Sequence, residues 1–393
     1  MKNFRIALTY ALILLTTLTF AQSAQNKKLF KQAFSEAAEQ YKVLAQNLPA
    51  DKFPKTYFPK SNKYEWSGSG WWCSGFYPGS LLYIYEQTKD QATLTEANRI
   101  LKVLEKEQFN TSTHDLGFMM FCSFGNAKDI APKANDKEIL IQSAKSLASR
   151  FDPKVGCIKS WDSNKNEYLV IIDNMMNLEL LFWATKVTGD SSYYKIAVTH
   201  ANTTMKNHFR PDYSSYHVIN YNATTGEVQQ KRTAQGFADE SAWARGQAWG
   251  LYGYTVMFRE TKNPIYLKQA QNIAKFIMSN PNMPADKIPY WDYNAPNIPN
   301  ALRDASAASV TASALLELAK YSTPKLNKAY FKEAETILVN LSKAPYHAAQ
   351  GKNGGFIIEH CVGHIPQNTE IDVPLTYADY YYLEGIKRYL AWK

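Results

Sequence analysis

The amino-acid sequence predicts an all-α protein built from a ring of helical hairpins. Apolar residues recur with a helical period in twelve segments that follow one another along the chain. A weak internal repeat relates several of these segments, and long segments of extended or turn character separate some of them. The predicted helices lie near residues 28–47, 75–87, 91–107, 115–124, 135–150, 173–187, 191–208, 241–260, 264–279, 305–321, 327–343 and 374–391.

Caps and small residues support these helices. Asn263 followed by Pro264 is a start signal, because an amide cap precedes a proline at the first helical position. In the repeat, an aromatic residue or Thr is followed four residues later by Ala, which lets neighbouring helices approach closely. The repeated pairs are Thr93/Ala97, Tyr193/Ala197, Tyr266/Ala270 and Tyr330/Ala334. Such hairpins stack as an open solenoid or a closed ring, and twelve helices suit a closed barrel of six hairpins.

The long connections are the expected location of a binding site, because loops on a rigid scaffold carry function. They span residues 49–74, 151–172, 209–240, 280–304 and 344–373. The residues of interest within them are Trp71, Trp72, Trp161, His217, Gln235, Trp291 and the pair Gly354 and Gly355.

The N-terminus predicts an exported protein. Residues 1–24 combine a basic start, an apolar run at 6–20 and small residues around Ala21 and Ala24, as in a secretory signal peptide. The apolar run is shorter than the roughly 20 residues of a membrane span. We therefore expect a periplasmic protein that leaves the membrane after cleavage. Residues 25–393 contain no linker-like stretch and are predicted to form a single catalytic domain.

Composition excludes several functions. The net charge is +9, but no basic block or nucleic-acid motif is present, so nucleic acid is not an expected partner, while anionic substrates are compatible. The four cysteines are scattered without metal-binding spacing, which argues against zinc and leaves one or two isolated disulfides open. Aromatic residues reach 14% and could supply stacking platforms for sugars, although a helical core would absorb most of them.

Two aspartates are the candidate catalytic groups, since each precedes an apolar helical run. Asp173 follows the apolar residues 169–172, which should desolvate it, raise the pKa of its carboxyl group and keep a proton available. Asp115 adjoins His114 and Gly117, and we expect these polar surroundings to keep it ionised. One protonated and one charged carboxyl group is the usual division in sugar chemistry. The simpler alternative for both is helix capping, which is the only role we expect for Asp304.

The segment 233–250 is the most unusual in the chain. A helix starting near Trp243 would place Arg245 and Trp249 one turn apart on the same face, where a guanidinium and an indole ring could line one wall of a site. The alternative is a core helix with an arginine that reaches solvent.

Residues 114–118, 173–177 and 241–249 together resemble the unsaturated glucuronyl hydrolases of glycoside hydrolase family 88. The resemblance extends to residues 72–76 and 377–381 and covers essentially the whole mature chain. It implies an (α/α)6 barrel, with Asp173 as general acid and base and Asp115 as the second essential carboxylate. The residues that it places in the substrate pocket, or that we expect to line it, are His217, Gln235, Arg245, Trp249, Trp72 and His114.

The resemblance also implies the reaction. The family hydrates the C4=C5 double bond of the unsaturated uronic acid that polysaccharide lyases leave on oligosaccharides, and this chemistry requires no metal and no cofactor. Arg245, Gln235 and His217 would bind the substrate carboxylate and position water, while Trp249 and Trp72 would pack against the sugar. We expect a monomer or a weak homodimer.

The identity of the second sugar of the substrate is left open. Some members of the family bind a sulfate on it with serines and a basic residue in a C-terminal loop, but here residues 360–370 contain neither Ser nor Lys. Either His360 and His364 replace them, or the second sugar differs. The competing functions are an unsaturated rhamnogalacturonyl hydrolase, a conventional inverting glycosidase on the same barrel, and a sugar-binding protein without turnover.

Overall fold

The computed structural model describes residues 2–162 and 167–392, with side chains from residue 23 onward. Twelve α-helices lie in this part of the chain, which confirms the predicted all-α class. They are α1 (Lys2–Asn47), α2 (Phe76–Thr88), α3 (Gln91–Leu104), α4 (Phe124–Ile130), α5 (Asp136–Ala148), α6 (Leu178–Thr188), α7 (Ser191–His208), α8 (Ala244–Thr261), α9 (Pro264–Ser279), α10 (Ala305–Lys320), α11 (Pro324–Leu341) and α12 (Thr376–Leu390).

The helices form six hairpins closed into an (α/α)6 barrel. The even-numbered helices make the inner ring, which closes where α12 packs against α2, and the odd-numbered helices pack around it. The inner helix α10 is buried at every position from Ala305 to Ala319. The residues of the sequence repeat lie on the outer helices α3, α7, α9 and α11, and all of them are buried. The repeat therefore marks the face that each of these outer helices turns toward the ring.

Within the described residues, nine short strands occupy the long connections. They are β1 (Phe53–Phe58), β2 (Lys63–Ser67), β3 (Phe151–Asp152), β4 (Cys157–Ile158), β5 (Glu167–Ile171), β6 (Val218–Asn222), β7 (Val228–Arg232), β8 (Cys361–His364) and β9 (Thr369–Val373). Strands β5, β6 and β7 form an antiparallel sheet, and the other strands pair as β1 with β2, β3 with β4 and β8 with β9. The predicted extended character is thus confirmed for four of the five connections, while 280–304 contributes only isolated bridges.

The six inner helices begin on the same side of the barrel. The residues at their starts, or in the turns that lead into them, are Trp72, Asp115, Asp173, Arg245, Asp304 and Tyr377, in chain order. Several short turns lead into them, including 3₁₀ turns at Trp72–Gly75 and Ile172–Asn177. The motif residues of the sequence are therefore gathered at one end of the ring.

The predicted helix at 115–124 differs from what the structure contains. A π-helical turn, Gly117–Phe121, precedes α4, and the N–H of Cys122 donates to the carbonyl oxygen of Gly117 five residues earlier. The wider turn begins at Gly117, the residue that is pressed against a neighbouring segment. All four cysteines are free thiols. In the part of the chain that is described, no helix has the length and apolar character needed to cross a bilayer.

Candidate active site

A small cavity opens at the end of the barrel where the inner helices begin. Its wall combines two aspartates with aromatic rings and a few polar groups. The residues that line it are Trp72, His114, Asp115, Phe118, Trp161, Ile171, Asp173, Gln235 and Arg245. The structure thus brings together six of the eight predicted site residues in one cavity wall, and both candidate acids are among them.

Close packing between two motifs fixes the relative position of the aspartates. A Cβ atom at Gly117 would lie 2.4 Å from the Cα of Asn177, so only glycine allows this approach. The side-chain oxygen of Asn177 also accepts a hydrogen bond from the N–H of Phe118, at 3.0 Å. Asp115 lies two residues before Gly117, and Asp173 lies four residues before Asn177. The contact therefore joins the two segments that carry the acids.

Asp173 is a buried carboxyl group that faces the cavity. Burial raises the pKa of Asp173 to about 7, an effect that nearby Arg245 opposes and Asp115 reinforces. Its Oδ2 has no hydrogen-bond partner among the described residues, and the ring nitrogen Nε2 of His217 is 3.7 Å away. The indole N–H of Trp249 lies close enough to lower the pKa of Asp173, but it makes no hydrogen bond of normal geometry. Asp173 can therefore hold a proton near neutrality and present it to a ligand.

Asp115 is not the polar, ionised group that its sequence neighbours indicated. Burial raises the pKa of Asp115 to about 7 as well, against hydrogen bonding from Asn177 and Thr113. That expectation was wrong because the aspartate is buried by segments distant in sequence, whose effect exceeds that of its polar neighbours. The charge of Asp115 raises the pKa of Asp173. Each of the two acids can therefore hold a proton near neutrality.

His114 lies beside Asp115 as a neutral ring. Its Nδ1 lies 2.9 Å from the carbonyl oxygen of Ser160, so this nitrogen carries the hydrogen. Its Nε2 then has a free lone pair, 3.2 Å from Oδ1 of Asp115. Burial lowers the pKa of His114 to about 3, with Arg150 adding to the effect. His114 is therefore neutral near neutral pH, and a proton that Asp115 binds stays on its carboxyl group.

His217 is fixed as a neutral hydrogen-bond donor. The backbone N–H groups of Ala234 and Gln235 both donate to its Nδ1, at 3.1 and 3.2 Å. The remaining hydrogen must lie on Nε2, which faces Asp173. Burial lowers the pKa of His217 well below its ordinary value, and Arg245 adds to this. The ring of His217 packs on Trp243 at a centroid distance of 4.4 Å, which fixes its orientation.

Arg245 lines the cavity, but its end groups are already bonded to the protein. Nη1 pairs with Asp304 at 2.9 Å and donates to the carbonyl of Val362, while Nη2 donates to the carbonyl of Gly363 at 2.9 Å. Within the described residues only its Nε is unpaired. Asp304 does cap α10, as predicted, but the expectation that it does nothing else was wrong, because its second oxygen forms this buried ion pair. Arg245 thus connects α8 with β8 and with the start of α10. Its binding of the substrate carboxylate stays a prediction.

The remaining predicted residues lie at different depths. Gln235 and Trp72 are partly exposed at the rim, and the side-chain amide of Gln235 donates to the carbonyl of Gly363. Trp249 is fully buried behind the wall, where its ring packs edge-on against Phe118 and Tyr381. Trp249 follows Arg245 by one helical turn, as predicted, but its contact with a sugar is not visible in this geometry and stays a prediction.

Sequence reasoning missed several wall residues. Trp161 was noted only as a loop aromatic, yet its ring packs edge-on against His217 at 6.0 Å. Phe118 and Ile171 were treated as flanking apolar residues, although both line the cavity. Trp243 is sandwiched between His217 and Arg245, whose guanidinium lies 4.6 Å from its ring. Trp161 was one of the aromatic residues noted in the connecting segments, whereas Phe118 and Trp243 lie in predicted helices.

The barrel and its paired, buried carboxyl groups define a carbohydrate-active enzyme, since a proton-donating acid beside a second carboxyl group is the apparatus of sugar chemistry. Comparison with known proteins identifies the family within this class. Residues 43–389 match the sequence profile of Glycosyl Hydrolase Family 88. The chain therefore belongs to glycosyl hydrolase family 88 and is a glycoside hydrolase.

Individual relatives are similar along nearly the whole chain. An unsaturated glucuronyl hydrolase from Formosa agariphila is 44% identical over 390 residues, covering 96% of this chain and 97% of that protein. The crystal structure of an unsaturated glucuronyl hydrolase specific for heparin has a TM-score of 0.89 and 47% identity, covering 92% of this chain and 97% of that one. A mutant of the Streptococcus agalactiae enzyme, complexed with dGlcA-GalNAc6S, has a TM-score of 0.80 and 27% identity and covers 93% of each chain.

Proposed function

We propose that the protein is an unsaturated glucuronyl hydrolase. Its substrates are oligosaccharides, released by polysaccharide lyases, that carry a 4,5-unsaturated uronic acid at the non-reducing end. The relatives described above support this activity, and the S. agalactiae complex contains an unsaturated disaccharide. The observation that carries the proposal is Asp173, a buried acid with a pKa raised to about 7 by burial and an unbonded oxygen in the cavity wall.

The reaction is hydration of an enol ether. Asp173 donates its proton to C4, and positive charge develops on C5 and the ring oxygen. Water adds to C5 and returns a proton to the Asp173 carboxylate, which restores the starting state of the enzyme. The hemiketal at C5 then opens, and the remaining sugar leaves from C1 without further catalysis.

Two neighbouring groups support the step. In its ionised form Asp115 stabilises the developing cation, and its charge keeps the proton on Asp173 until the alkene accepts it. His217 cannot act as a base, because its Nδ1 already accepts two backbone hydrogen bonds and its Nε2 carries a hydrogen. It instead donates from Nε2 toward the water or the substrate carboxylate beside Asp173.

Loss of the alkene's ultraviolet absorbance tests the proposal. Purified protein is mixed with unsaturated disaccharides from chondroitin, hyaluronan, heparin and ulvan lyases. We expect loss of absorbance with at least one, abolished by Asp173→Asn and reduced about 10²- to 10⁴-fold by Asp115→Asn, the usual range for an acid or base group. Equal rates for wild type and Asp173→Asn would contradict the assignment of the acid. Turnover of saturated glycosides alone would indicate a conventional inverting glycosidase, and turnover of unsaturated rhamnogalacturonan fragments alone would indicate the rhamnogalacturonyl activity.

We also propose that residues 1–24 are a secretory leader and that the mature protein acts in the periplasm as a monomer or weak homodimer. The support is the basic, apolar and small-residue pattern of this segment. N-terminal sequencing of periplasmic protein should begin near residue 22 or 25, and light scattering should give the monomer mass at low concentration. An uncleaved cytoplasmic chain would contradict the export proposal.

A further inference from the structure

Arg232 lies on the sheet face that leads to the cavity. In the antiparallel register of β5, β6 and β7, Ile171 is opposite Val218, and Val218 is opposite Arg232. Directly opposed residues point to the same face of a sheet, so Arg232 shares a face with Ile171, which lines the cavity. Trp161, another residue of the cavity wall, packs on this same face against Ile171 and Val218.

The opposite face has different contacts, which supports this assignment. Lys231 is adjacent in sequence and must point the other way. Its Nζ lies 5.0 Å from the ring of Tyr216 and donates to the carbonyl of Asn207. Tyr216 in turn packs against the second apolar cluster, which contains Val170 and Ile219. The two adjacent cations therefore lie on opposite faces of the sheet.

The guanidinium of Arg232 is unpaired. Of the arginines whose side chains are described, Arg232 alone has neither an ion pair nor a hydrogen bond within the described residues. Its Nε is buried without an acceptor, although the side chain as a whole is only partly buried. The arginines with carboxylate partners are Arg99, Arg150, Arg210, Arg245, Arg259, Arg303 and Arg388. A buried donor without a partner is costly, so an acceptor from outside the protein is expected there.

The position corresponds to the sugar that follows the reacting one. The cavity is closed by buried residues and opens at its partly exposed rim of Trp72, Trp161 and Gln235. A uronic acid that reaches Asp173 must therefore extend its next sugar past this rim. Arg232 is close enough to His217 for its charge to act on that ring, and His217 directly adjoins Asp173.

We propose that Arg232 is a specificity-determining residue that binds a sulfate group on the second sugar. This inference rests on the proposed function. A guanidinium presents two parallel N–H donors that match the oxygens of a tetrahedral anion. A sulfate group on the second sugar of a lyase-generated disaccharide is a tetrahedral anion of this kind, so sulfate is the matching chemistry. Lys55, a cation of the connection 49–74, does not compete for it because Glu65 and Glu370 already pair with it.

Calorimetry on variants in the Asp173→Asn background, which prevents turnover, tests the proposal. Two probes are used, an unsaturated disaccharide with a sulfated second sugar and its unsulfated counterpart. The measured quantity is the ratio of the two Kd values. Arg232→Gln should lower the preference for the sulfated sugar about 10- to 100-fold, the effect of losing a charged hydrogen bond. Lys231→Gln removes the same charge from the opposite face and should leave the ratio unchanged.

The outcomes separate the two proposals. An unchanged ratio in Arg232→Gln, or an equal change in Lys231→Gln, would overturn the role of Arg232 even if the wild-type enzyme turns over unsaturated sugars. If wild type consumes none of the unsaturated disaccharides, the proposed function fails. A sulfate preference in binding that depends on Arg232 would still support a sulfate-binding site.

Discussion

Replacing Asp173 by Asn should stabilise the protein in a pH-dependent way. The folded protein retains the proton of Asp173 up to a pKa of about 7, because burial disfavours the charged form. The unfolded chain releases the same proton near pH 4. Between these values the folded state binds more protons, so raising the pH favours unfolding. The stability that protonated Asp173 provides is complete in acid and is lost as the pH rises toward 7.

The magnitude follows from the two pKa values. From pH 5 to pH 8, the ionisation of Asp173 should cost the folded state about 3 kcal/mol relative to the unfolded chain. Asn cannot ionise, so the Asp173→Asn variant avoids this loss. The free energy of unfolding of the variant minus that of wild type should therefore be about 3 kcal/mol larger at pH 8 than at pH 5.

Urea unfolding at the two pH values measures this difference, and subtracting wild type removes the contribution of the titrating groups that do not interact with Asp173. Ile171→Val provides the control, since Ile171 lines the same cavity and carries no charge. Its effect on stability should be equal at both pH values. A difference between Asp173→Asn and wild type that does not change with pH would refute the claim that burial holds the proton on this acid.

Two further predictions concern the same site. The kcat/KM of wild type should fall about tenfold per pH unit above pH 7, because only protonated Asp173 can donate to the alkene, and a kcat/KM that rises through this range would contradict that role. Gly117→Ala should cost about 1–3 kcal/mol of stability and most of the activity, because its Cβ would lie 2.4 Å from the Cα of Asn177. Gly68→Ala is the control, because a Cβ atom at Gly68 would meet no atom within 4 Å, and it should change stability by less than about 0.5 kcal/mol. Equal losses of stability for the two glycine variants in urea unfolding would argue against the close-packing explanation.

The helices could be predicted from the sequence because their signals are local. Asn263 accepts the capping hydrogen bond from Ile265, and α9 begins at Pro264, as the two residues indicated. The Tyr266/Ala270 pair is buried on the inner side of that helix. The π-helical turn at Gly117–Phe121 could not be predicted, because no local pattern shows it, and the turn begins where Gly117 contacts Asn177 of another hairpin.

The candidate acids were identifiable, but their environments were not. Asp173 follows an apolar strand, so its burial was visible in the sequence around it. Asp115 has polar neighbours in sequence, and nothing local indicated that it would be buried enough to raise its pKa. The partners of Arg245 lie 59 and 117 residues away, at Asp304 and Val362. Such pairings depend on the closure of the ring, which no local pattern encodes.

The shared starting side of the six inner helices has an electrostatic consequence. Peptide dipoles align along a helix and leave partial positive charge at its N-terminus, which favours anions there by a few tenths of a kcal/mol to about 1 kcal/mol. The cavity lies at the N-termini of the inner helices, so their fields converge on it. The backbone itself therefore attracts a uronate carboxylate toward the cavity, before any side chain makes contact with it.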